Sequence, residues 1–178
     1  MYEAVRAVRT EGDVLLCEGY KDVIAFHAAG IRHAAGLCGT ALTEDHVRVI
    51  RRLTGHVTLA LDPDPAGQAA TLRSARLLLA QGCEVGLLPL PGGMDPDEMF
   101  RRKGAEALRR LVRTEAVDYL SHRIRKAAGR KGGPDAGGIR EVLGEIRLVG
   151  SPLAVYQRVE ELSKATGIPL DVLREELS

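Results

Sequence analysis

The sequence predicts an α/β protein with a parallel sheet flanked by helices, followed by a small helical subdomain. Over the first 95 residues, four short apolar runs alternate with helical stretches of roughly ten to fifteen residues, which is the pattern of βαβ units. From residue 97 onward the strand pattern disappears and only helical stretches follow. We therefore expect an α/β domain over residues 1–112 and a helical subdomain over residues 113–178.

Local signals bound each predicted element. Thr43 is placed to cap the start of a helix, and Gly30, Gly55 and Gly82 each follow a helical stretch. The predicted strands are residues 14–17, 31–37, 57–61 and 85–90. The predicted helices are residues 20–29, 44–53, 67–81, 98–112, 116–128, 139–149, 153–166 and 170–177. The glycine-rich residues 129–138 are predicted to form a flexible loop.

Composition excludes several classes of protein. No apolar run approaches the ~20 residues that cross a bilayer, and the first residues lack the apolar core of a signal peptide. We therefore expect a cytoplasmic protein with no membrane partner. The three cysteines form no CxxC pair, which favours reduced thiols over a zinc site. Aromatic residues make up only 3% of the chain, which disfavours a base-stacking platform for single strands.

Charge is distributed unevenly along the chain. Residues 101–131 hold 11 Lys and Arg against three Asp and Glu, a net charge of +8, although the whole chain carries only +1. An acidic first part followed by this basic segment fits a partner that combines metal and phosphate. A solvated helix with arginines on its outer face explains the same segment, and both interpretations stay open.

The stretch LALDPDPAGQAA places two carboxylates, Asp62 and Asp64, where a predicted strand meets a helix. Residues two apart in an extended segment point to the same side, and ligands usually bind at the carboxyl ends of parallel strands. Two converging carboxylates repel each other unless a cation lies between them, and oxygen ligands favour Mg²⁺ or Mn²⁺ over zinc. Asp64 before Pro65 is also a good N-cap, so metal binding and capping both remain possible here.

Acidic residues also follow the first and fourth predicted strands. Glu18 comes directly after the first, and Asp95 and Asp97 come shortly after the fourth. Each has an ordinary explanation, as a solvated strand end or a helix cap, and Asp22 suits the first turn of a helix. The carboxyl ends of parallel strands lie at one edge of a sheet. Acids that follow three of the predicted strands should therefore lie together, which favours a divalent-metal site.

The turn after the second predicted strand, Gly39-Thr40, offers backbone N–H groups and a hydroxyl that suit a phosphate. An ordinary tight turn before a helix would look the same. The five histidines show no ligand spacing, and no Walker A, GxGxxG or GxSxG pattern is present.

Four motifs together resemble the TOPRIM domain of bacterial DnaG-type DNA primases. They are EGYKD at residues 18–22, CGTALT at 38–43, DPDPAG at 62–67 and DPD at 95–97. A Glu at one strand end with a DxD at another is general to TOPRIM proteins, including topoisomerases and several nucleases. The GTALT stretch, the later DPD and the tail KATGIPLDVLREEL are similar to primases in particular, and the resemblance covers about residues 10 to 178.

The resemblance implies that Glu18, Asp62 and Asp64 bind Mg²⁺ or Mn²⁺, with Asp95 and Asp97 as further metal-site positions and Asp22 supporting them. It implies nucleotidyl transfer, in which nucleoside triphosphates are joined into an RNA primer on a single-stranded DNA template. The chain departs from the family at Pro63, usually Gly, at Pro65, often basic, and at Lys21, usually apolar. Lys21 has two open interpretations, a phosphate contact or an ion pair with an acid.

Full primases carry zinc-binding, basic and helicase-binding parts that are absent from this sequence. We therefore expect the chain to be incomplete on its own, with weak or no priming, and to meet a replicative helicase only through those other domains. Two alternatives remain. One is a TOPRIM metal-dependent nuclease that uses the same acids, and the other is a non-catalytic nucleotide- or nucleic-acid-binding module whose acids are helix caps.

Overall fold

A five-stranded sheet forms the centre of the computed structural model, which describes residues 2–129 and 133–177. The strands are β1 (Asp13–Cys17), β2 (Ala34–Gly36), β3 (His56–Ala60), β4 (Glu84–Leu87) and β5 (Val117–Asp118), in the spatial order β2-β1-β3-β4-β5. The first four strands are parallel, and β5 pairs antiparallel with β4. The predicted α/β fold class is confirmed, with a mixed sheet rather than a wholly parallel one.

Helices surround the sheet and continue beyond it. They are α1 (Tyr2–Glu11), α2 (Tyr20–Ala28), α3 (Glu44–Arg51), α4 (Pro65–Ala80), α5 (Pro96–Glu115), α6 (Tyr119–Ala128), α7 (Ala136–Ile146), α8 (Pro152–Thr166) and α9 (Leu170–Leu177). Thr43 caps α3 as predicted, since its hydroxyl accepts a hydrogen bond from the backbone of His46. Part of the predicted loop at 129–138, residues 130–132, lies outside the described residues.

Three elements differ from the prediction. Helix α1 was not predicted, although it buries Val8 against the sheet, and β2 covers only three of the seven residues expected. Strand β5 was also missed, because it is two residues long and carries no apolar run. Its pairing is set by the neighbouring β4 rather than by its own composition, and such tertiary context overrides local pattern.

Alternating strand residues build a core on each face of the sheet. Leu15 of β1 packs with α2 and α5 on one face, whereas Leu16 of the same strand faces α4 on the other. On the second face the core continues into α6 to α9, and Ile124 of α6 belongs to the same cluster as Leu59 of β3. The domain boundary after residue 112 stays a prediction; α5 runs past it to Glu115.

One buried carboxylate ties the helical part to the sheet. Glu145 of α7 is fully buried, and its Oε2 accepts a hydrogen bond from Arg123 of α6 at 3.2 Å. Arg76 of α4 lies 3.7 Å from its Oε1. A buried carboxylate needs such partners, and these contacts connect α7 with α6 and with α4. No helix among the described residues is both long and apolar enough to span a bilayer.

Candidate active site

Glu18 and Asp62 meet at the carboxyl edge of the sheet. Cys17, the last residue of β1, pairs in register with Ala60, the last residue of β3, so the chain segments that follow leave the sheet side by side. The Oε1 atom of Glu18 accepts a hydrogen bond from the backbone N–H of Asp62 at 3.1 Å. The parallel register therefore brings together two carboxylates that lie 44 residues apart in sequence.

Three helices begin at the same edge, each with a carboxylate at its start. Asp22 Oδ2 accepts from the N–H of Gly19 at 3.0 Å before α2. Asp64 Oδ1 accepts from the N–H of Gly67 at 2.7 Å as the N-cap of α4, and Asp95 Oδ1 accepts from the N–H of Glu98 at 2.6 Å as the N-cap of α5. Helix N-termini carry partial positive charge, so these caps hold the acids in place.

Asp62 differs from the capping carboxylates, because no hydrogen bond within the described part of the chain satisfies its buried Oδ1 atom. Burial raises the pKa of the Asp62 carboxyl to about 6, and repulsion from Glu18, Asp22, Asp95 and Asp64 adds to the increase. The charges of the other four carboxylates therefore act together on Asp62.

Asp22 and Asp97 complete the acidic edge. Burial raises the pKa of Asp22, and the charges of Asp95 and Asp97 raise it further, while backbone N–H groups of Gly19 and Asp97 oppose the increase. Asp97 itself pairs with Arg101 one turn along α5, at 2.9 Å. The structure thus brings all six predicted acids to one edge, with Asp97 facing a cation on its own helix.

The donor set fits a hard divalent cation in its chemistry. All the donors are carboxylate oxygens, and Asp62 keeps a buried oxygen that no described residue hydrogen-bonds. The caps of Asp64 and Asp95 use Oδ1 only, and no group in the described residues hydrogen-bonds their Oδ2 atoms. The side chains do not form a complete metal site, since no three His, Cys, Asp or Glu among residues 2–129 and 133–177 form a group that could hold a metal.

The turn after β2 stands beside Glu18. Gly39 and Thr40 line a cavity of about 280 Å³ together with Glu18, and the Thr40 hydroxyl donates to the carbonyl of Leu37 at 2.7 Å. Gly39 has a φ of 83°, a left-handed conformation that favours glycine. Lys21 is exposed on the first turn of α2 and makes no ion pair with a described residue.

The sequence did not reveal that residue 67 has to be glycine. A Cβ atom there would lie 2.1 Å from the carbonyl oxygen of Asp62 and 2.8 Å from Oε1 of Glu18. The first turn of α4 therefore packs directly against the backbone that presents the acids. The pair Ala66-Gly67 after the two aspartates was the available signal, but its physical reason is visible only in three dimensions.

Comparisons with known proteins agree with this geometry. A family model described as Toprim-like matches residues 15–100. The DNA primase of Halalkalibacterium halodurans is 33% identical over 98% of this chain, and the chain spans 30% of that primase. The Aquifex aeolicus primase, solved with its zinc-binding and RNA polymerase domains, superposes with a TM-score of 0.84 at 31% identity, covering 97% of this chain and 41% of that one.

A structure of the DnaG primase catalytic domain bound to single-stranded DNA is also similar. It gives a TM-score of 0.73 at 26% identity and covers 91% of this chain and 54% of that one.

A mixed sheet whose carboxyl edge gathers a Glu after the first strand and two Asp after the third defines a TOPRIM domain. The chain as a whole is a homologue of the DnaG-type DNA primases and corresponds to part of their catalytic core. The predicted family is confirmed, and this family depends on divalent metals in general. The assignment of particular residues to the metal stays a prediction.

Gly67→Ala tests the close approach of α4 to the acids. We expect a loss of about 2–3 kcal/mol in the free energy of unfolding, because the added Cβ cannot fit against the Asp62 carbonyl. Gly144→Ala is the matched control, since Gly144 lies inside α7 with open space around its Cβ position, and it should gain about 0.5–1 kcal/mol. Urea denaturation measures both, and equal effects would contradict the packing account.

Asp62→Asn tests the electrostatic convergence through its pH dependence. The folded pKa of about 6 exceeds the ordinary value of 3.8, so the fold favours the protonated carboxyl and wild-type stability falls as pH rises between these values. The variant should therefore exceed wild type in Tm at pH 7 and match it near pH 4. Asp64→Ala should instead lose about 0.5–2 kcal/mol at pH 7, because it removes the N-cap of α4. A lower Tm for Asp62→Asn at pH 7 would refute the convergence.

Proposed function

We propose that this chain provides the metal-dependent nucleotidyl-transfer site of a DNA primase, in which Glu18, Asp62 and Asp64 hold Mg²⁺ or Mn²⁺. The observation that carries the proposal is Asp62, whose buried oxygen has no hydrogen-bond partner among the described residues while four other carboxylates repel its charge. A bound divalent cation would relieve both conditions at once. Asp95 and Asp97 are the further acids of the same site.

In this proposal, the residues of the chain position the bound cations, and their carboxylates neutralise the charge of those cations. When bound, divalent cations lower the charge of a triphosphate, activate a primer 3′-hydroxyl and stabilise the leaving pyrophosphate. Glu18 and Asp62 hold their positions because the register of β1 and β3 and the packing of Gly67 fix them. Asp64 contributes its Oδ2 while its Oδ1 remains in the α4 cap.

Four residues support phosphate binding in this proposal. Gly39 and Thr40 offer a turn beside Glu18, where the Thr40 hydroxyl oxygen can still accept a hydrogen bond. Lys21, which is exposed on the first turn of α2 and makes no ion pair with a described residue, would supply a cation for the phosphates. Asp22, buried next to the N-terminus of α2, orders the turn that carries Glu18.

The partners follow from the same chemistry. We infer nucleoside triphosphates as substrates and single-stranded DNA with an RNA primer as the nucleic acid, supported by the related DnaG catalytic domain bound to single-stranded DNA. Because the chain spans less than a third of the H. halodurans primase, contact with a replicative helicase would involve parts outside it. From a role in replication we infer that the site acts in the cytoplasm.

The non-catalytic alternative also has an observation in its favour, because Asp64 and Asp95 do cap helices. Capping explains those two residues fully but leaves Asp62 unexplained. A module built only on caps would bind no metal at this edge, and its acids would affect stability alone.

Titration calorimetry with Mn²⁺ tests the proposal on the wild-type chain and on Asp62→Ala with Asp64→Ala. Saturable binding should be present in the wild type and lost in the double variant, because the removed carboxylates supply the ligands. Asp171→Ala with Glu175→Ala is the matched control, since it removes two exposed acids from α9 and should bind Mn²⁺ as the wild type does.

Equal Mn²⁺ binding by the wild type and the site variant would refute the metal site and favour the capping module. With Mn²⁺ bound, a primed DNA template and labelled nucleoside triphosphates separate the two enzymatic functions. Incorporation supports nucleotidyl transfer, whereas loss of phosphodiester bonds without incorporation identifies a nuclease.

A further inference from the structure

Two cysteine thiols flank the backbone of Glu18, and the proposed metal chemistry uses neither of them. Cys17 ends β1 and is fully buried, whereas Cys38 follows β2 and is exposed. The backbone N–H of Cys38 donates to the carbonyl oxygen of Glu18 at 2.8 Å, so residue 38 lies beside the end of β1. Two thiols from different strand ends therefore adjoin the turn that carries Glu18.

The two sulfur atoms approach each other around Gly36. Cys17 pairs in register with Gly36, and the Sγ atom of Cys38 lies 3.1 Å from the position that a Cβ atom on Gly36 would occupy. That position is also 3.2 Å from the carbonyl oxygen of Gly19, which lies 3.8 Å from the Sγ atom of Cys17. Because residue 36 is glycine, no side chain of its own separates the two sulfur atoms.

The strand pairing brings the two cysteines within the reach of a disulfide. Bonded cysteines have Cα atoms about 4.4–6.8 Å apart, and neighbouring strands lie about 4.8 Å apart. The pairing of β1 with β2 continues to its end, where the N–H of Leu37 donates to the carbonyl of Cys17 at 3.0 Å. Rotation of the exposed Cys38 side chain is then the movement that would bring its sulfur onto that of Cys17.

The backbone does not explain a cysteine at position 38. Its φ is 53°, and it is the one non-glycine residue with a positive φ among residues 2–129 and 133–177. Glycine adopts this left-handed conformation without the steric cost that a Cβ atom brings. The thiol is therefore held here at a cost in free energy, as is common for residues at functional sites.

The surroundings of the two thiols set the order in which they react. Cys38 is exposed, so an oxidant in solution reaches it first. Burial raises the pKa of the Cys17 thiol, and the charges of Asp22 and Cys38 raise it further, so Cys17 stays protonated. An accessible thiol with a second thiol beside it is the usual arrangement at a redox-sensitive site.

We propose that Cys17 and Cys38 form a modification site, at which a peroxide joins the two sulfur atoms in a reversible disulfide that disables the acidic edge. The Cys38 sulfur attacks hydrogen peroxide, the O–O bond breaks, and a sulfenic acid and one water result. The Cys17 sulfur then displaces the hydroxyl group, which leaves as a second water with the Cys17 proton. The two sulfur atoms together lose two electrons to the peroxide, and a dithiol reductant returns them.

The effect of this disulfide on metal binding rests on the proposed function. A bond to Cys17 would draw residue 38 toward α2 and away from the Glu18 carbonyl that its N–H now binds. Because Oε1 of Glu18 accepts from the N–H of Asp62 at 3.1 Å, a displaced turn changes the spacing of these two acids. The oxidised chain should therefore bind a divalent cation more weakly than the reduced chain.

Peptide mass spectrometry after treatment with hydrogen peroxide tests the bond itself. In the wild-type chain, the tryptic peptides 10–21 and 33–48 should be linked through Cys17 and Cys38 and separated by dithiothreitol. Cys38→Ser should give no linked pair. Cys83→Ala is the matched control and should give the same pair as the wild type, because Cys83 belongs to the core on the other face of the sheet. A link only between the Cys38 residues of two chains would overturn the proposal.

Calorimetry with Mn²⁺, after removal of the peroxide and any reductant, tests the consequence for the site. The oxidised wild type should bind Mn²⁺ at least about tenfold more weakly than the reduced wild type. Cys38→Ser should bind Mn²⁺ equally before and after peroxide treatment, and Cys83→Ala should behave as the wild type does.

The outcomes separate the modification site from the metal site. Unchanged Mn²⁺ affinity in the disulfide-bonded wild type would overturn the effect on the acidic edge. Loss of affinity in peroxide-treated Cys38→Ser would also overturn it, because another group would then be responsible. If the reduced wild type fails to bind Mn²⁺, the proposed function and the effect on the acidic edge are both overturned, and the linked peptides alone decide whether the thiol pair is a modification site.

Discussion

Repulsion between carboxylates at the carboxyl edge of the sheet is the constraint on which the rest of the structure depends. Parallel pairing of β1 with β3 forces Glu18 and Asp62 together, and the turns that follow add Asp64 and Asp95. Three helix N-termini offset part of the charge, because their N–H groups bind Asp22, Asp64 and Asp95. Asp62 is left without such compensation, and a stability cost of this kind is typical of functional sites.

The packing of α4 holds the acids at this edge in position. Gly67 lets α4 approach the backbone of Asp62, and the buried Glu145 with Arg76 fixes the far half of α4 against the helical part. A shift of α4 would therefore change both the positions of the acids and the packing of the helical part. Helix α4 thus connects the site with the helical part. A cavity lined by leucines, Asp62 and residues of α6 lies between them.

Local chemistry explains why much of this was predictable from the sequence. The strands β1 and β3 are short apolar runs that end in acids, and Asp64 and Asp95 each precede a proline at a helix start. The convergence of the acids followed from the rule that parallel strands share a carboxyl edge. These features depend on neighbours in sequence or on a general topological rule.

What could not be predicted depends on contacts between distant segments. Strand β5 exists because β4 offers it a partner, and the need for glycine at residue 67 arises from an approach to Asp62 that no local pattern encodes. The cavity between α4, α6 and the segment after β4 forms because α6 packs against β4, a contact that the composition of α6 does not indicate. The described residues of the basic segment likewise divide between ion pairs along α5 and cations on α6.

Paramagnetic broadening by Mn²⁺ in a two-dimensional amide NMR spectrum shows whether the acidic turns at this edge share one metal ion. At substoichiometric Mn²⁺, a shared site predicts that amide signals from the non-proline residues of 18–22, 62–67 and 95–98 disappear first, because all three turns would surround one cation. Broadening that begins elsewhere, or that affects only one of the three turns, would contradict a shared metal site at this edge.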